Sequence, residues 1–160
     1  MRQPLAAVRD RRVDAVGHVL DFAREPDRKR VQKFNMSGYA APKLDVVRVG
    51  FIGLGNRGMG AVERLNKIEG VEIKALCDLR SEKTAAAKKL VEASGHRPQT
   101  YDSSPEIWKK LAERTDLDLV YILTPWAFHT PMAVFSMEHG KHVYCEKPLA
   151  HTVAEVRAMR

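Results

Sequence analysis

Val46-Val47-Arg48-Val49-Gly50-Phe51-Ile52 leads directly into Gly53-Leu54-Gly55-Asn56-Arg57-Gly58. The first stretch predicts a buried strand because it is apolar and rich in β-branched residues. The second matches G-x-G-x-x-G, in which the first glycine makes a tight turn, the second lets a pyrophosphate approach the backbone and the third packs a helix on the strand. The helix would offer free N–H groups to the phosphates. Such glycines also fit an ordinary turn, so the surrounding sequence has to decide.

Strands and helices are predicted to alternate from residue 45 onward. The predicted strands are 46–52, 71–77, 99–101, 117–123 and 142–145. The predicted helices are 59–69, 81–94, one opened by Ser104-Pro105, 130–140, and one opened by the capping box of Thr152 and Glu155. This alternation requires right-handed crossovers and a parallel sheet. The sequence therefore predicts an α/β fold of the Rossmann type, doubly wound with helices on both faces, for which the usual strand order is 3-2-1-4-5.

Two cysteines, Cys77 and Cys145, end the second and fifth predicted strands. In the predicted order these strands lie three spacings apart, about 14 Å. A disulfide reaches only about 7 Å between Cα atoms. We therefore expect free thiols, a reducing compartment and a cytoplasmic protein.

The ribose of a dinucleotide has a candidate partner at the end of the second strand. Asp78 follows Gly53 by 25 positions, near the spacing of about 20 found in dinucleotide-binding folds. Its carboxylate can accept both ribose hydroxyls and would repel a 2′-phosphate, which favours NAD over NADP. Arg80 acts against that preference, because a guanidinium can pair with a 2′-phosphate, although a surface role for this residue is the simpler interpretation.

Composition and charge exclude several classes of protein. The chain has 160 residues, 44% of them hydrophobic and 29% charged, which is typical of one globular domain and not of a collagen-like or disordered chain. No stretch approaches the roughly 18 apolar residues of a membrane span. The net charge of +7 is concentrated near the N-terminus, where residues 1–45 hold 10 basic and 6 acidic side chains. No nucleic-acid-binding motif accompanies this charge, so we expect neither a nucleic acid nor a membrane as partner.

Residues 1–44 are interpreted as a basic extension, partly helical or disordered, that precedes a cofactor-binding domain over residues 45–160. Apolar residues between Leu5 and Phe22 predict a loosely amphipathic helix. Export is not favoured, because Arg11-Arg12 is followed by polar residues where a signal peptide needs an apolar core. The last predicted helix reaches Arg160 without a stop signal, so we expect the domain to continue beyond it.

The second half of the chain carries two further motifs at strand ends. They are Thr124-Pro125, followed by His129, and Glu146-Lys147-Pro148. Together with the glycine loop and Cys77-Asp78, they resemble the N-terminal half of Gfo/Idh/MocA-type oxidoreductases, which act largely on sugars and cyclitols. The resemblance implies NAD as cofactor and a C-terminal substrate domain that is missing here.

One branch of that family matches additional residues. Ala41-Pro42-Lys43-Leu44, the run from Arg48 to Gly55, and Thr124-Pro125-Trp126 look most like glycoside hydrolase family 109, whose members are NAD-dependent α-N-acetylgalactosaminidases. That branch usually has Glu-Val-Pro where this chain has Glu146-Lys147-Pro148. The residues therefore leave both a dehydrogenase and a glycosidase open.

The resemblance implies roles for the residues at these strand ends. Lys147 would be the catalytic acid/base, since desolvation and a cationic nicotinamide lower a lysine pKa toward neutrality, and a cis Lys147-Pro148 bond would aim it. Glu146 would approach the nicotinamide ribose. Thr124 and Pro125 would line the cofactor groove with Trp126 as an apolar wall, and His129 could face the nicotinamide. No metal site is supported, because no second ligand lies at a useful spacing.

Three functions remain from the sequence. A dehydrogenase would oxidise a sugar by hydride transfer, whereas a glycosidase would oxidise it only transiently and return the hydride. A non-catalytic nucleotide-binding module is the third. We expect the isolated chain to bind a dinucleotide but to show little turnover, and to expose apolar surface, which would favour self-association into a homo-oligomer.

Overall fold

The computed structural model describes residues 12–13, 19–20, 38 and 40–159. They fall into two compact units, Met1–Ser37 and Gly38–Arg160. In the first unit, strands β1 (Arg12–Val13) and β2 (Val19–Leu20) pair antiparallel. The predicted helix is wrong at these residues, where the β-branched Val13 and Val19 suit a strand better. The rest of that helix and Arg160 lie outside the described residues.

The second unit is built on one parallel sheet. Its order is β5-β4-β3-β6-β7, and every neighbouring pair runs parallel. The strands are β3 (Val47–Ile52), β4 (Val71–Cys77), β5 (Gln99–Tyr101), β6 (Leu119–Ile122) and β7 (His142–Cys145). If the five strands of this sheet are numbered 1 to 5 along the chain, their order is 3-2-1-4-5, which confirms the predicted Rossmann topology.

Five helices connect or follow these strands. They are α1 (Asn56–Leu65), α2 (Ser81–Glu92), α3 (Ile107–Ala112), α4 (His129–Glu138) and α5 (Val153–Ala158). The predicted capping box of α5 is present. Helix α1 begins three residues earlier than predicted. Its N-cap is Gly55, whose backbone is extended, so the helix starts inside the glycine loop. Helix α3 begins later than predicted, since Ser104 accepts a turn bond from the Ile107 amide instead of capping the helix.

Helices cover both faces of the sheet. Side chains alternate along β3, so that Val49 and Phe51 belong to one buried cluster and Ile52 to another. The first cluster includes residues of α1 and α2, and the second includes residues of α3 and α4. The doubly wound arrangement predicted from the sequence is therefore confirmed.

The carboxyl ends of the strands are aligned along one edge. Ile52 pairs with both Cys77 and Ile122, and Ile122 pairs with Cys145. The two cysteines are thus three strand spacings apart and are free thiols. Burial raises the pKa of Cys77 to about 12 and that of Cys145 to about 11, so both remain protonated at neutral pH.

The opposite, amino-terminal edge of the sheet is held by ion pairs. The Arg48 guanidinium donates to both carboxylate oxygens of Asp118, at 2.9 and 2.6 Å, and the Arg48 amide donates to the same carboxylate at 2.8 Å. These contacts hold the pKa of Asp118 below its usual range. They fix β3 against β6 at the edge that lies away from the glycine loop.

Within the described part of the chain, no helix is both long and apolar enough to span a bilayer.

Candidate functional site

The three glycines of the loop differ in how much space a side chain would have at each position. A Cβ on Gly53, whose φ is +96°, would lie 2.7 Å from the Leu123 carbonyl oxygen, and a Cβ on Gly58 would lie 2.0 Å from the Gly53 carbonyl oxygen. A Cβ on Gly55 would have nothing within 4 Å. Gly53 and Gly58 are therefore needed for packing, whereas Gly55 borders open space that a ligand can enter.

That open space adjoins the N-terminus of α1. No side chain caps this helix, and its first turn has no acidic residue. The first intrahelical bond runs from the Met59 amide to the Gly55 carbonyl at 2.8 Å, which leaves the preceding amides of the first turn for a ligand. Asn56 and Arg57, at the start of the helix, are exposed. Free amides, a positive helix end and an open approach fit the pyrophosphate of a dinucleotide.

Asp78 is bonded to the glycine loop. Its Oδ2 accepts from the Leu54 amide at 2.7 Å, and its Oδ1 accepts from the Arg80 amide at 3.0 Å. The Arg80 Nε lies 3.4 Å from the same Oδ1. The Asp78 side chain is 10% exposed and that of Arg80 56%. A hydrogen bond thus connects the loop directly to the end of β4, which the sequence spacing did not predict.

A second carboxylate at this edge was not predicted. Asp102 directly follows β5, and the Asp78 amide donates to the Tyr101 carbonyl at 3.2 Å, so the two acids end neighbouring strands. Hydrogen bonds from Ser103 and Thr84, at 2.7 and 2.8 Å, lower the pKa of Asp102. An acid directly after a predicted strand is the signal that could have found it.

The other end of the edge begins where β6 stops. Thr124 and Pro125 lead into a 3₁₀ turn over Trp126–Phe128. Pro125 is exposed and Thr124 half-buried. Trp126 is 56% exposed, and its ring meets that of His151 edge-on with centroids 5.6 Å apart. The tryptophan is therefore available as a wall for a ligand.

Glu146 and Lys147 follow β7 at the same edge. The Glu146 amide donates to the Ile122 carbonyl at 3.0 Å, and the Glu146 carboxylate accepts from the Lys147 amide at 3.1 Å. The Lys147–Pro148 peptide bond is cis, as the family resemblance implied. The Lys147 side chain is exposed, and the strand it follows, β7, lies three strand spacings, about 14 Å, from β4.

His129 is buried at the start of α4. Its ring is only 1% exposed, with Nδ1 2.9 Å from the Pro148 carbonyl oxygen and Nε2 2.8 Å from the Thr124 carbonyl oxygen. Both ring nitrogens contact backbone carbonyl oxygens, because the ring packs inward at the start of α4. The position of His129 facing the nicotinamide stays a prediction.

Among residues 38 and 40–159, no three His, Cys, Asp or Glu side chains are grouped to hold a metal ion.

The fold and the arrangement of its carboxyl edge define a nucleotide-binding domain of the Rossmann type. Residues 47–160 match the family model of the Gfo/Idh/MocA proteins, described as "Oxidoreductase family, NAD-binding Rossmann fold". The chain belongs to this family, as the motifs indicated, and NAD is the cofactor of its domain.

Curated relatives include glycosyl hydrolases. A "Glycosyl hydrolase family 109 protein 1" of Bacteroides fragilis is 53% identical over 135 residues, which are 84% of this chain and 29% of that protein. An "Alpha-N-acetylgalactosaminidase" of the same species is 50% identical over 128 residues, 79% of this chain and 30% of that protein. The chain thus spans about three-tenths of the length of the curated relatives it matches.

Solved structures of similar fold include inositol dehydrogenases. Myo-inositol 2-dehydrogenase from Lactobacillus plantarum superposes with a TM-score of 0.60 at 34% identity, over 71% of this chain and 32% of that one. Myo-inositol dehydrogenase from Lactobacillus casei, in complex with NAD(H) and myo-inositol, gives a TM-score of 0.62 at 27% identity with the same coverage.

Proposed function

We propose that NAD lies along the carboxyl edge of the sheet, with its adenosine ribose at Asp78, its pyrophosphate at Gly55 and the start of α1, and its nicotinamide between Thr124 and Lys147. The observation that carries this proposal is the contrast among the glycines. Of the three loop glycines, Gly55 alone borders open space, and that space adjoins the uncapped N-terminus of α1. A side chain there would occupy the position of the pyrophosphate without disturbing the protein.

We further propose that the whole protein acts on a sugar or sugar derivative. NAD supplies a hydride acceptor beside the substrate carbon. The Lys147 amine is suited to take the proton from the hydroxyl on that carbon, because its side chain is exposed at the nicotinamide end of the groove while its backbone amide is held by Glu146. Glu146, at the end of β7, is placed to contact the nicotinamide ribose.

The second candidate is a redox-neutral glycosidase. The 53% and 50% identities to family 109 proteins and an α-N-acetylgalactosaminidase favour it, as does Trp126. In that reaction, oxidation of one sugar hydroxyl acidifies the neighbouring C–H, the glycosidic group is eliminated, water adds and the carbon is reduced again. Glu146-Lys147-Pro148, in contrast, favours the dehydrogenase. Both reactions use the same NAD position.

The sugar contacts would come largely from the remainder of a longer protein, since this chain spans about three-tenths of its relatives. Several apolar side chains on the β7 and α5 side are exposed, including Tyr144 at 52% and Val153 at 69%. They support a further apolar contact there, from such a remainder or from another copy. A cytoplasmic location is supported by the two free thiols.

Calorimetric titration of the chain with NAD and with NADP tests the binding proposal. Asp78→Asn should fold, because an amide oxygen can still accept from the Leu54 amide, but it should bind NAD about tenfold more weakly, since hydrogen bonds to a charged group contribute about 1.5–3 kcal/mol. Asp102→Asn is the matched control at the neighbouring strand end and should bind like the unmodified chain. Equal affinity in all three proteins would contradict the placement of the ribose.

Net formation of NADH separates the two reactions. A full-length protein with these residues should accumulate NADH with a free sugar if it is a dehydrogenase. It should release sugar from a glycoside at constant total NADH if it is a glycosidase. Binding of NAD with neither reaction would favour a non-catalytic nucleotide-binding module.

A further inference from the structure

We propose that His129 is a positioning residue that ties the Lys147–Pro148 segment to the end of β6 and thereby sets where the Lys147 amine stands beside the cofactor. The inference deepens the proposed function and rests on it for the role of Lys147. Its own basis is the pair of contacts that the buried ring makes.

Those contacts join the segments that follow β6 and β7, just beyond the last backbone hydrogen bond between the two strands. In the described part of the chain, the backbone ladder between β6 and β7 extends to the bond from the Glu146 amide to the Ile122 carbonyl, at 3.0 Å. Past this bond, Nε2 of His129 reaches the Thr124 carbonyl at 2.8 Å and Nδ1 reaches the Pro148 carbonyl at 2.9 Å. The imidazole therefore continues the connection where the backbones no longer pair.

Burial makes these contacts costly to lose. The ring is 1% exposed, so water does not replace a missing partner, and an unsatisfied buried polar group costs about 1–3 kcal/mol. Both partners are carbonyl oxygens, which only accept. A neutral imidazole donates to one of them and an imidazolium donates to both. One rigid ring with a nitrogen facing each carbonyl oxygen therefore bridges the two backbone segments.

As a result, hydrogen bonds hold the backbone on both sides of Lys147, whereas its side chain is exposed to solvent. On one side of Lys147, the Glu146 amide is bonded to β6; on the other, the Pro148 carbonyl is held by His129. The Lys147 side chain itself is exposed. Restricting the backbone on both sides limits the region that the amine can reach, which is how a buried residue can orient a reactive one without touching a ligand.

The test uses two histidine variants, one at each end of α4. His129→Ala removes the tie, whereas His139→Ala removes the histidine just past the other end of α4, whose Nδ1 also contacts a single carbonyl, that of Phe135 at 2.8 Å. Heteronuclear ¹⁵N NOE values of the Lys147 and Leu149 amides are measured without NAD. After ¹³C-methylation of the lysines, the Lys147 signal is identified by its absence from Lys147→Arg and followed during titration with NAD.

We expect ordered Lys147 and Leu149 amides in the unmodified chain and in His139→Ala, and low NOE values in His129→Ala. Saturating NAD should shift the Lys147 methyl signal in the first two proteins and by less than half as much in His129→Ala. NAD affinity should fall by about two- to tenfold in that variant, because the Lys147–Pro148 segment would then have to be ordered on binding. A folded His129→Ala with unchanged order and an unchanged Lys147 shift would overturn the proposal.

If His129→Ala does not fold, scalar couplings across the two hydrogen bonds, from the ring nitrogens to the Thr124 and Pro148 carbonyl carbons, are measured in the unmodified chain. Because the tie requires the bond to Pro148, coupling to the Pro148 carbonyl carbon supports the proposal, and absence of that coupling overturns it. Failure of the unmodified chain to bind NAD would contradict the proposed function alone, because the order of the segment and these couplings are measured without NAD.

Discussion

The adenosine half of the site, Gly53–Gly58 with Asp78, and the nicotinamide half, Thr124–His129 with Glu146–Pro148, share one sheet edge but are held together differently. In the adenosine half, glycine packing and the bond from the Leu54 amide to Asp78 make the loop and strand end a single unit. In the nicotinamide half, two exposed strand ends are joined through the ring of His129. The adenosine half is held together by its own residues, whereas the nicotinamide half depends on the buried side chain of His129.

The comparison explains where the exposed surface lies. Leu54 and Gly58 are buried, and Asp78 is nearly so. Trp126, Lys147 and Leu149 are exposed. In the proposed function, the packed half would hold the constant part of the ligand, and the half with exposed side chains would accommodate the substrate and its further contacts.

The largest effect should come from Gly58→Ala. The new Cβ would lie 2.0 Å from the Gly53 carbonyl oxygen, a backbone atom that cannot move without opening the loop. We expect a loss of about 3 kcal/mol or more in the free energy of unfolding, measured by urea denaturation. A stable Gly58→Ala would show that the adenosine half is not rigidly packed.

Gly55→Ala should separate binding from folding in the same loop. Its Cβ meets nothing within 4 Å, and a φ of −66° is suitable for alanine. Stability should change by less than about 1 kcal/mol, while the affinity for NAD should fall by about tenfold or more as the methyl group blocks the pyrophosphate. Gly60→Ala, within the same helix, is the control and should bind NAD normally. Normal binding by Gly55→Ala would place the pyrophosphate elsewhere.

Asp118→Asn should affect stability without affecting the site. Arg48 holds the pKa of Asp118 below its usual range, so the ion pair stabilises the fold above the unfolded pKa of about 3.9. This contribution is lost as the pH falls through the lower folded value. The variant should therefore be less stable than the unmodified chain at pH 7, and the difference should shrink below about pH 4. Thermal unfolding at several pH values measures this, and NAD affinity at pH 7 should not change.

Arg80→Ala should have the smallest effect, on the choice between NAD and NADP. The Arg80 guanidinium lies 3.4 Å from Asp78 and is largely exposed, so it partly offsets the negative charge that repels a 2′-phosphate. Removing it should raise the preference for NAD over NADP by about two- to fivefold. A lowered preference would mean that Arg80 does not pair with a 2′-phosphate and that its ion pair orients Asp78 for the ribose.

The sequence predicted the parts of this fold that depend on local pattern. β-branched runs, stop glycines and the Thr152/Glu155 capping box placed the strands and α5, and the alternation of strands with helices indicated a parallel sheet of the Rossmann type. Helix boundaries were less accurate, because Gly55 starts α1 through its backbone conformation and not through a capping side chain. Val13 and Val19 pair as strands because a partner strand, which a helical pattern does not take into account, is available to them.

The candidate site could be proposed from the sequence where residue types and spacings indicate the chemistry. The glycine loop, Asp78 and Lys147 have residue types and spacings with a known use. The tie through His129 could not be read from the sequence, since its partners are backbone carbonyls, one of them 19 positions away and brought close only by the pairing of β6 with β7. The bond from the Leu54 amide to Asp78, which spans 24 positions, was hidden for the same reason.

The central claim, that one dinucleotide spans both halves of the edge, is tested most directly by comparing amide chemical shifts on titration with NAD and with ADP-ribose, which lacks the nicotinamide. Both ligands should shift the amides of residues 53–58 and 78. Only NAD should also shift those of residues 124–129 and 146–150. Shifts by both ligands confined to the adenosine half, or the absence of shifts at residues 53–58, would contradict the proposed placement.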